Sequence, residues 1–133
     1  MSTSEHNTGT YIDGFVFPIH EAHIDQYRKA AEQVAIIWKE HGALAYHEYI
    51  GDDMSLEGTR SFVDLTSALP DEEIVFGWVV FPSKEIRDKA NTSVPKDPRM
   101  ARIVGPLIDP DRLIFDAGRM VFGGFKPFIQ TEK

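Results

Sequence analysis

The sequence predicts an α+β domain in which two strand-then-helix halves build one antiparallel sheet with the helices on a single face. Three observations carry that expectation. Residues 74–91, IVFGWVVFPSKEIRDKAN, join an apolar run to a charged helical segment across Pro82, with Ser83 placed to cap it. A shorter version of the plan begins at Gly14, where GFVFP leads through IHEAH into another helical pattern. Between the halves the apolar period switches from 3.6 to 2, as it does where a helix gives way to a strand.

Residues 1–10, MSTSEHNTGT, are small and polar and are expected to form a flexible tail, leaving residues 11–133 as one domain. Residues 11–18, YIDGFVFP, read as the first strand because aromatic and β-branched side chains dominate; Pro18 ends it by removing a ladder donor, and Asp13 reads as a solvated strand end, with a role in a site as the alternative. The first helix covers residues 21–41, where Ile24, Tyr27, Ala31, Val34, Trp38 and His41 recur at spacings of three and four. Gly42 follows where a left-handed cap belongs.

Residues 43–50 form the second strand, with the turn GDD after it. Leu44, Tyr46, Glu48 and Ile50 share one face, which puts an acid among apolar neighbours. If buried, Glu48 has a raised pKa and suits general acid or base work; if solvated, it pairs with a Lys or Arg across the strands. Residues 61–68 alternate weakly and read as an additional edge strand, and residues 69–73 as an acidic turn. Residues 74–81 are nearly continuous in apolar side chains, as a central strand covered on both faces would be.

The second helix starts at the Ser83 cap and stops at Pro95 and Pro98, where KDPRM forms a corner that opens a short helix through Val104. Residues 105–116, with three aspartates, two prolines and a glycine, read as a loop. Residues 119–125, RMVFGGF, are the last strand, with Gly123 and Gly124 marking a bulge or a close backbone approach. This order is the split βαβ plan of a ferredoxin-like domain. Its strands carry more aromatic surface than one face of a small sheet buries, so a homodimer that pairs the sheet faces is expected.

Composition narrows the function classes. A chain of 133 residues buries about two-thirds of its unfolded surface without staples. The absence of cysteine rules out disulfides, thiolate metal sites and cysteine nucleophiles. With no apolar run of membrane length and no signal-peptide pattern at the start, a soluble cytoplasmic protein is expected. A formal charge of -7, from 21 acidic and 14 basic residues, argues against nucleic acid as a partner. His20 and His23 share a helical turn but lack further ligands, and HEAH is one residue short of the HExxH spacing, so no metal and no cofactor are expected. Neither GxSxG nor a phosphate loop occurs.

YIDGFV near the start, WKEHGAL at 38–44, GDD at 51–53, FPSKEIRDKAN at 81–91, DPRM at 97–100 and FDAGRMVFGGF at 115–125 together resemble the YbaA-like family of uncharacterised bacterial proteins. The resemblance implies the dimeric α/β-barrel superfamily, in which two ferredoxin-like protomers join sheet to sheet. Relatives there include cofactor-independent quinone-forming monooxygenases, haem-degrading monooxygenases and lactone isomerases, but no reaction comes with the family itself. The Asn with His or Trp that haem-degrading members use has no counterpart here, and the loop IDPDRLIFDAG is longer than the resemblance leads one to expect.

Two readings result. In the first, a small aromatic or carbonyl molecule binds, and is transformed in a cofactor-independent monooxygenase- or isomerase-like way, between sheet and helices. Phe15, Tyr27, Trp38, Trp78 and Phe122 line that pocket, Arg87 and Asn91 contact the ligand, and Glu48, Arg99 and Arg119 are the catalytic candidates. In the second, the chain is a non-catalytic dimeric module acting through its surface, for instance in a stress response. Arg87, Asp88, Asn91, Asp97, Arg99 and Arg119 then form a salt-bridge network that pins the proline corner to the sheet.

Overall fold

A computed structural model describes residues 9–131, so most of the expected tail, residues 1–8, lies outside the described residues. Four strands, β1 (Tyr11–His20), β2 (Ala45–Ile50), β3 (Glu72–Phe81) and β4 (Val121–Phe125), form one antiparallel sheet in the order β2-β3-β1-β4. This is the ferredoxin-like arrangement the element order predicts. Helix α1 (Ile24–Glu40) follows a single 3-10 turn, and α3 (Lys84–Ser93) continues through another 3-10 turn into α4 (Pro98–Val104). No helix among the described residues is long and apolar enough to cross a membrane.

Local chemistry explains most boundaries. The Ser83 side chain accepts from the Ile86 amide at 3.2 Å and opens α3, and Asp97 accepts from the Arg99 amide at 3.0 Å and opens α4 behind Pro98. Gly42 closes α1 with φ +113, a conformation few side chains tolerate, and a Cβ there would stand 2.6 Å from Ile86 Cγ2. The core lies between the helix-facing side of the sheet and α1, α3 and α4, with Phe17, Ile19, Ile37, Phe81 and Val94 fully enclosed. Phe17 meets Tyr27 and Phe115 edge to face, and Trp38 meets Phe81 in the same way.

Several expectations are corrected. Residues 61–68 are not an edge strand: Phe62–Thr66 forms a short helix, α2, capped by Ser61 on the Val63 amide and closed by Ser67 at φ 56. The cap and a left-handed stop outweigh an alternation only a few residues long. Pro18 does not end β1, which pairs with β3 as far as His20 opposite Glu72; β4 stops opposite Val16, so the missing amide of Pro18 falls where β1 has an open side. The β1–β4 register runs unbroken through Gly123 and Gly124, so they mark a close approach and no bulge: a Cβ on Gly124 would stand 2.5 Å from the Tyr11 hydroxyl. Arg119 lies in a 3-10 turn before β4 and does not open the strand.

The other sheet face is only partly covered. Helix α2 sits there, with Phe62 5.7 Å from the Phe76 ring. Beyond it Phe76 remains 43% exposed and Phe125 57%, so β3 is central but is not covered on both sides.

Candidate functional site

Register places the side chains that matter. On the helix-facing side, Tyr46, Val79 and Asp13 stand in one row across β2, β3 and β1, and Glu48, Gly77, Phe15 and Phe122 stand in the next. Gly77 has no side chain, and Phe15 fills that gap: a Cβ on Gly77 would fall 2.5 Å from the Phe15 ring. Tyr46 and Glu48, two apart on β2, project to the same side, where α1 lowers Tyr27 onto them. The Tyr27 hydroxyl donates to Glu48 Oε1 at 2.5 Å and the Tyr46 hydroxyl to Oε2 at 2.6 Å.

Burial raises the Glu48 carboxyl above its ordinary range, and the two hydroxyl bonds pull back only part of the way. Burial first, and the Glu48 charge second, push both tyrosines well above the usual tyrosine range, so they stay protonated as donors. With both tyrosines held protonated, Glu48 is the member of the trio able to take up a proton, and its raised pKa suits it to that role.

The sign of its effect on stability follows. A carboxyl whose folded pKa exceeds its unfolded one contributes most at low pH and loses that contribution as pH rises through the folded value. Glu48→Gln does not titrate, so the stability of the natural chain relative to this variant is expected to fall as pH climbs above 4.5, the group's ordinary value. Urea midpoints of both proteins across pH 4 to 8 read this; a pH-independent difference would show that the carboxyl is not raised.

Tyr27, Tyr46 and Ala31 form a partition between two hollows. On one side an open groove of about 430 Å³ runs between α1 and β2 past Glu48, Ile24, Arg28 and Ile50. On the other a largely apolar cavity of about 310 Å³ lies between sheet and helices. Its walls are Phe15, Trp38, Val79, Met100, Phe115 and Phe122, and its polar groups besides the tyrosines are Asp13 and Asn91.

Asp13 is not the solvated strand end expected of it: it is 3% exposed and faces α3, where Oδ1 accepts from Arg87 Nε at 2.8 Å and Oδ2 from Asn91 Nδ2 at 3.4 Å. Burial raises its carboxyl above the ordinary range against the pull of Arg87. Arg87 lies with its guanidinium 5.0 Å from the centre of the Tyr11 ring and also pairs with Asp88 at 3.0 Å.

Of the residues expected to line a pocket, Phe15, Tyr27, Trp38 and Phe122 meet at the cavity, with Asn91 at its edge. Trp78 does not: it projects from the opposite sheet face, stacked on Tyr49 at 5.4 Å and near His47 at 5.0 Å. Alternation along β3 assigns it there, and the error lay in combining residues of both parities into one lining. His47 likewise lies on the face opposite Glu48, as the alternation predicts.

The six polar residues read as one set separate into three groups. Arg87, Asp88 and Asn91 gather at Asp13. Arg99 holds Asp97 and Glu40 at 2.8 and 2.6 Å, with His41 3.5 Å from Asp97. Arg119 binds Glu72 through both nitrogens and the Ser67 carbonyl at 2.8 Å, tying β3 to α2. Arg99 and Arg119 line neither hollow. His20 accepts from the Ala22 amide through Nδ1 and faces Asp71 through Nε2 at 2.9 Å, so both ring nitrogens are engaged.

The profile of the family described as protein of unknown function, DUF1428, matches residues 10–116. The chain belongs to the DUF1428 family. An uncharacterized protein YbaA of Escherichia coli strain K12 is 37% identical over 119 residues, which cover 90% of this chain and 97% of that protein; this bears out the resemblance read from the motifs. Among solved structures, a nipsnap family protein with unknown function from Agrobacterium tumefaciens aligns with a TM-score of 0.54 at 18% identity, over 92% of this chain and 91% of the other. An uncharacterized NIPSNAP-like domain protein from Burkholderia xenovorans aligns at 0.56 and 9% identity, over 95% and 91%. At such identities the likeness is one of fold alone. The DUF1428 match takes in Asp13, Tyr27, Tyr46, Glu48, Arg87 and Asn91 and stops short of β4, which supplies Phe122.

Proposed function

We propose that the chain binds a small aromatic or carbonyl molecule between its sheet and helices and moves a proton on it without a metal, with Glu48 as the proton acceptor. The observation that carries this reading is the Glu48 carboxyl, half-buried, raised in pKa and held by the hydroxyls of Tyr27 and Tyr46, the two tyrosines that separate it from the apolar cavity whose wall they form. A ligand hydroxyl, or a C–H beside a carbonyl, gives its proton to the Tyr27 or Tyr46 oxygen as that tyrosine passes its own to Glu48. The tyrosine ends as it began, Glu48 ends protonated, and the ligand becomes an oxyanion or enolate.

A thermal-shift panel of phenols, quinones and lactones tests it. A ligand at a hundred times its Kd adds about 2.7 kcal/mol of stability, and Glu48→Gln should retain that shift while losing hydrogen–deuterium exchange on the bound ligand. If nothing in the panel shifts the transition, the reading is wrong.

A homodimer through the open sheet face completes the proposal. Ile12, Phe76, Trp78, Val80, Val121 and Phe125 project from that face, none of them charged, which lets two copies of a chain of net charge -7 meet about a two-fold axis without burying like charges. Sedimentation at micromolar concentration is expected to give a dimer that Phe76→Lys dissociates; a monomeric natural chain would refute the pairing. The same face favours the alternative of a non-catalytic dimeric module, which gains ground only if the ligand panel fails and the dimer stands.

A further inference from the structure

The cavity has a second polar end that proton transfer at Glu48 does not use. Asp13 is almost wholly enclosed, yet an ionised carboxylate accepts about four hydrogen bonds and this one receives two, the bond to Oδ2 a long one at 3.4 Å. Arg87, which fixes Asp13, is itself occupied by Asp88 and the Tyr11 ring, so it supplies position and no free charge to the cavity. Asp13 and Tyr46 both pair with Val79, one on each side of it, so their backbones stand two strand spacings apart, about 10 Å. What lies between and above them is apolar: Phe15, Val79, Trp38 and Met100.

We infer that the ligand of this cavity is a flat, apolar-bodied molecule with a hydrogen-bond donor, hydroxyl or amine, at each of two opposite ends, one received by Asp13 and the other by the tyrosyl oxygens beside Glu48. The inference rests on the reading of the cavity as a ligand site. Both ends favour donors, because Asp13 accepts and Tyr27 and Tyr46 have already committed their protons to Glu48. An anionic ligand would meet a carboxyl behind each end. A ligand polar at one end only would bury the spare lone pairs of Asp13 without a partner, which carries a penalty.

Calorimetry with naphthalene, 2-naphthol and 2,6-dihydroxynaphthalene separates the cases. The diol is expected to bind about tenfold tighter than the mono-ol, the increment of one hydrogen bond to a charged group. In Asp13→Asn that preference should shrink to about threefold or less while affinity for 2-naphthol holds, and in Asp88→Asn, a change outside the cavity that leaves the Asp13 carboxyl in place, the preference should persist. If Asp13→Asn does not fold, the ratio in the natural chain and in Asp88→Asn still decides. Equal affinity for diol and mono-ol in the natural chain would overturn the two-ended ligand and leave the cavity reading standing. Failure of all three compounds to bind would overturn the two-ended ligand, and the thermal-shift panel of phenols, quinones and lactones then decides the cavity reading by itself.

Discussion

Asp13→Ala is expected to lower the unfolding free energy by about 3 kcal/mol, measured by urea denaturation at neutral pH. The loss comes mainly from what remains behind. With Asp13 gone, Arg87, whose side chain is only 16% accessible, keeps the Tyr11 ring and the partly exposed Asp88 but loses its enclosed partner at 2.8 Å. Those remaining contacts place the effect toward the lower end of what breaking a buried ion pair does. Replacing the pair together, as Asp13→Val with Arg87→Met, should restore most of the loss, because no charge is then left enclosed. A loss under about 1 kcal/mol in the single variant would show that Asp88 and water already satisfy Arg87.

Gly77→Ala is expected to cost about 3 kcal/mol, at the upper end for adding one carbon to a packed interior. The new Cβ would fall 2.5 Å from the Phe15 ring and 2.6 Å from the His47 carbonyl oxygen. The ring can turn, but the carbonyl belongs to the neighbouring strand and moves only if β2 moves. Combining Gly77→Ala with Phe15→Leu should therefore recover part of the stability and never all of it, and a double-mutant cycle read by thermal or urea unfolding measures the share owed to the ring. Full recovery would mean that β2 yields easily. Because Phe15 also forms a wall of the ligand cavity, the single variant should weaken ligand binding as well.

The sheet, the two long helices and the proline corner were legible because each rests on local signals that tertiary packing then obeys: the stripe of α1, the caps at Ser83 and Asp97, the stops at Gly42, Pro95 and Pro98. The helix at Phe62–Thr66 was missed because its length is too short for period 2 and period 3.6 to differ, and the signal that distinguishes them is the cap at Ser61. Asp13 was misjudged for another reason. An acid in an apolar strand is ordinarily solvated, and its enclosure depends on Arg87 and Asn91, more than seventy residues away in the chain. Glu48 was readable as a candidate from its own neighbours, and Tyr46 stood two positions away on the same face. Only the packing of α1 shows that Tyr27 completes the trio.

The pleat of β1 sorts the consequences of change by the parity of residue number. Odd positions, Asp13, Phe15 and Phe17, turn toward the cavity and core, whereas even positions, Ile12, Gly14 and Val16, turn toward the open face with Trp78 and Phe76. One strand thus writes two independent messages in alternating letters. Substitutions at Ile12 and Gly14 should tune self-association and spare the ligand, whereas Val16 is already enclosed, and substitutions at odd positions should do the reverse, so an engineer can edit assembly and chemistry separately within a few consecutive residues.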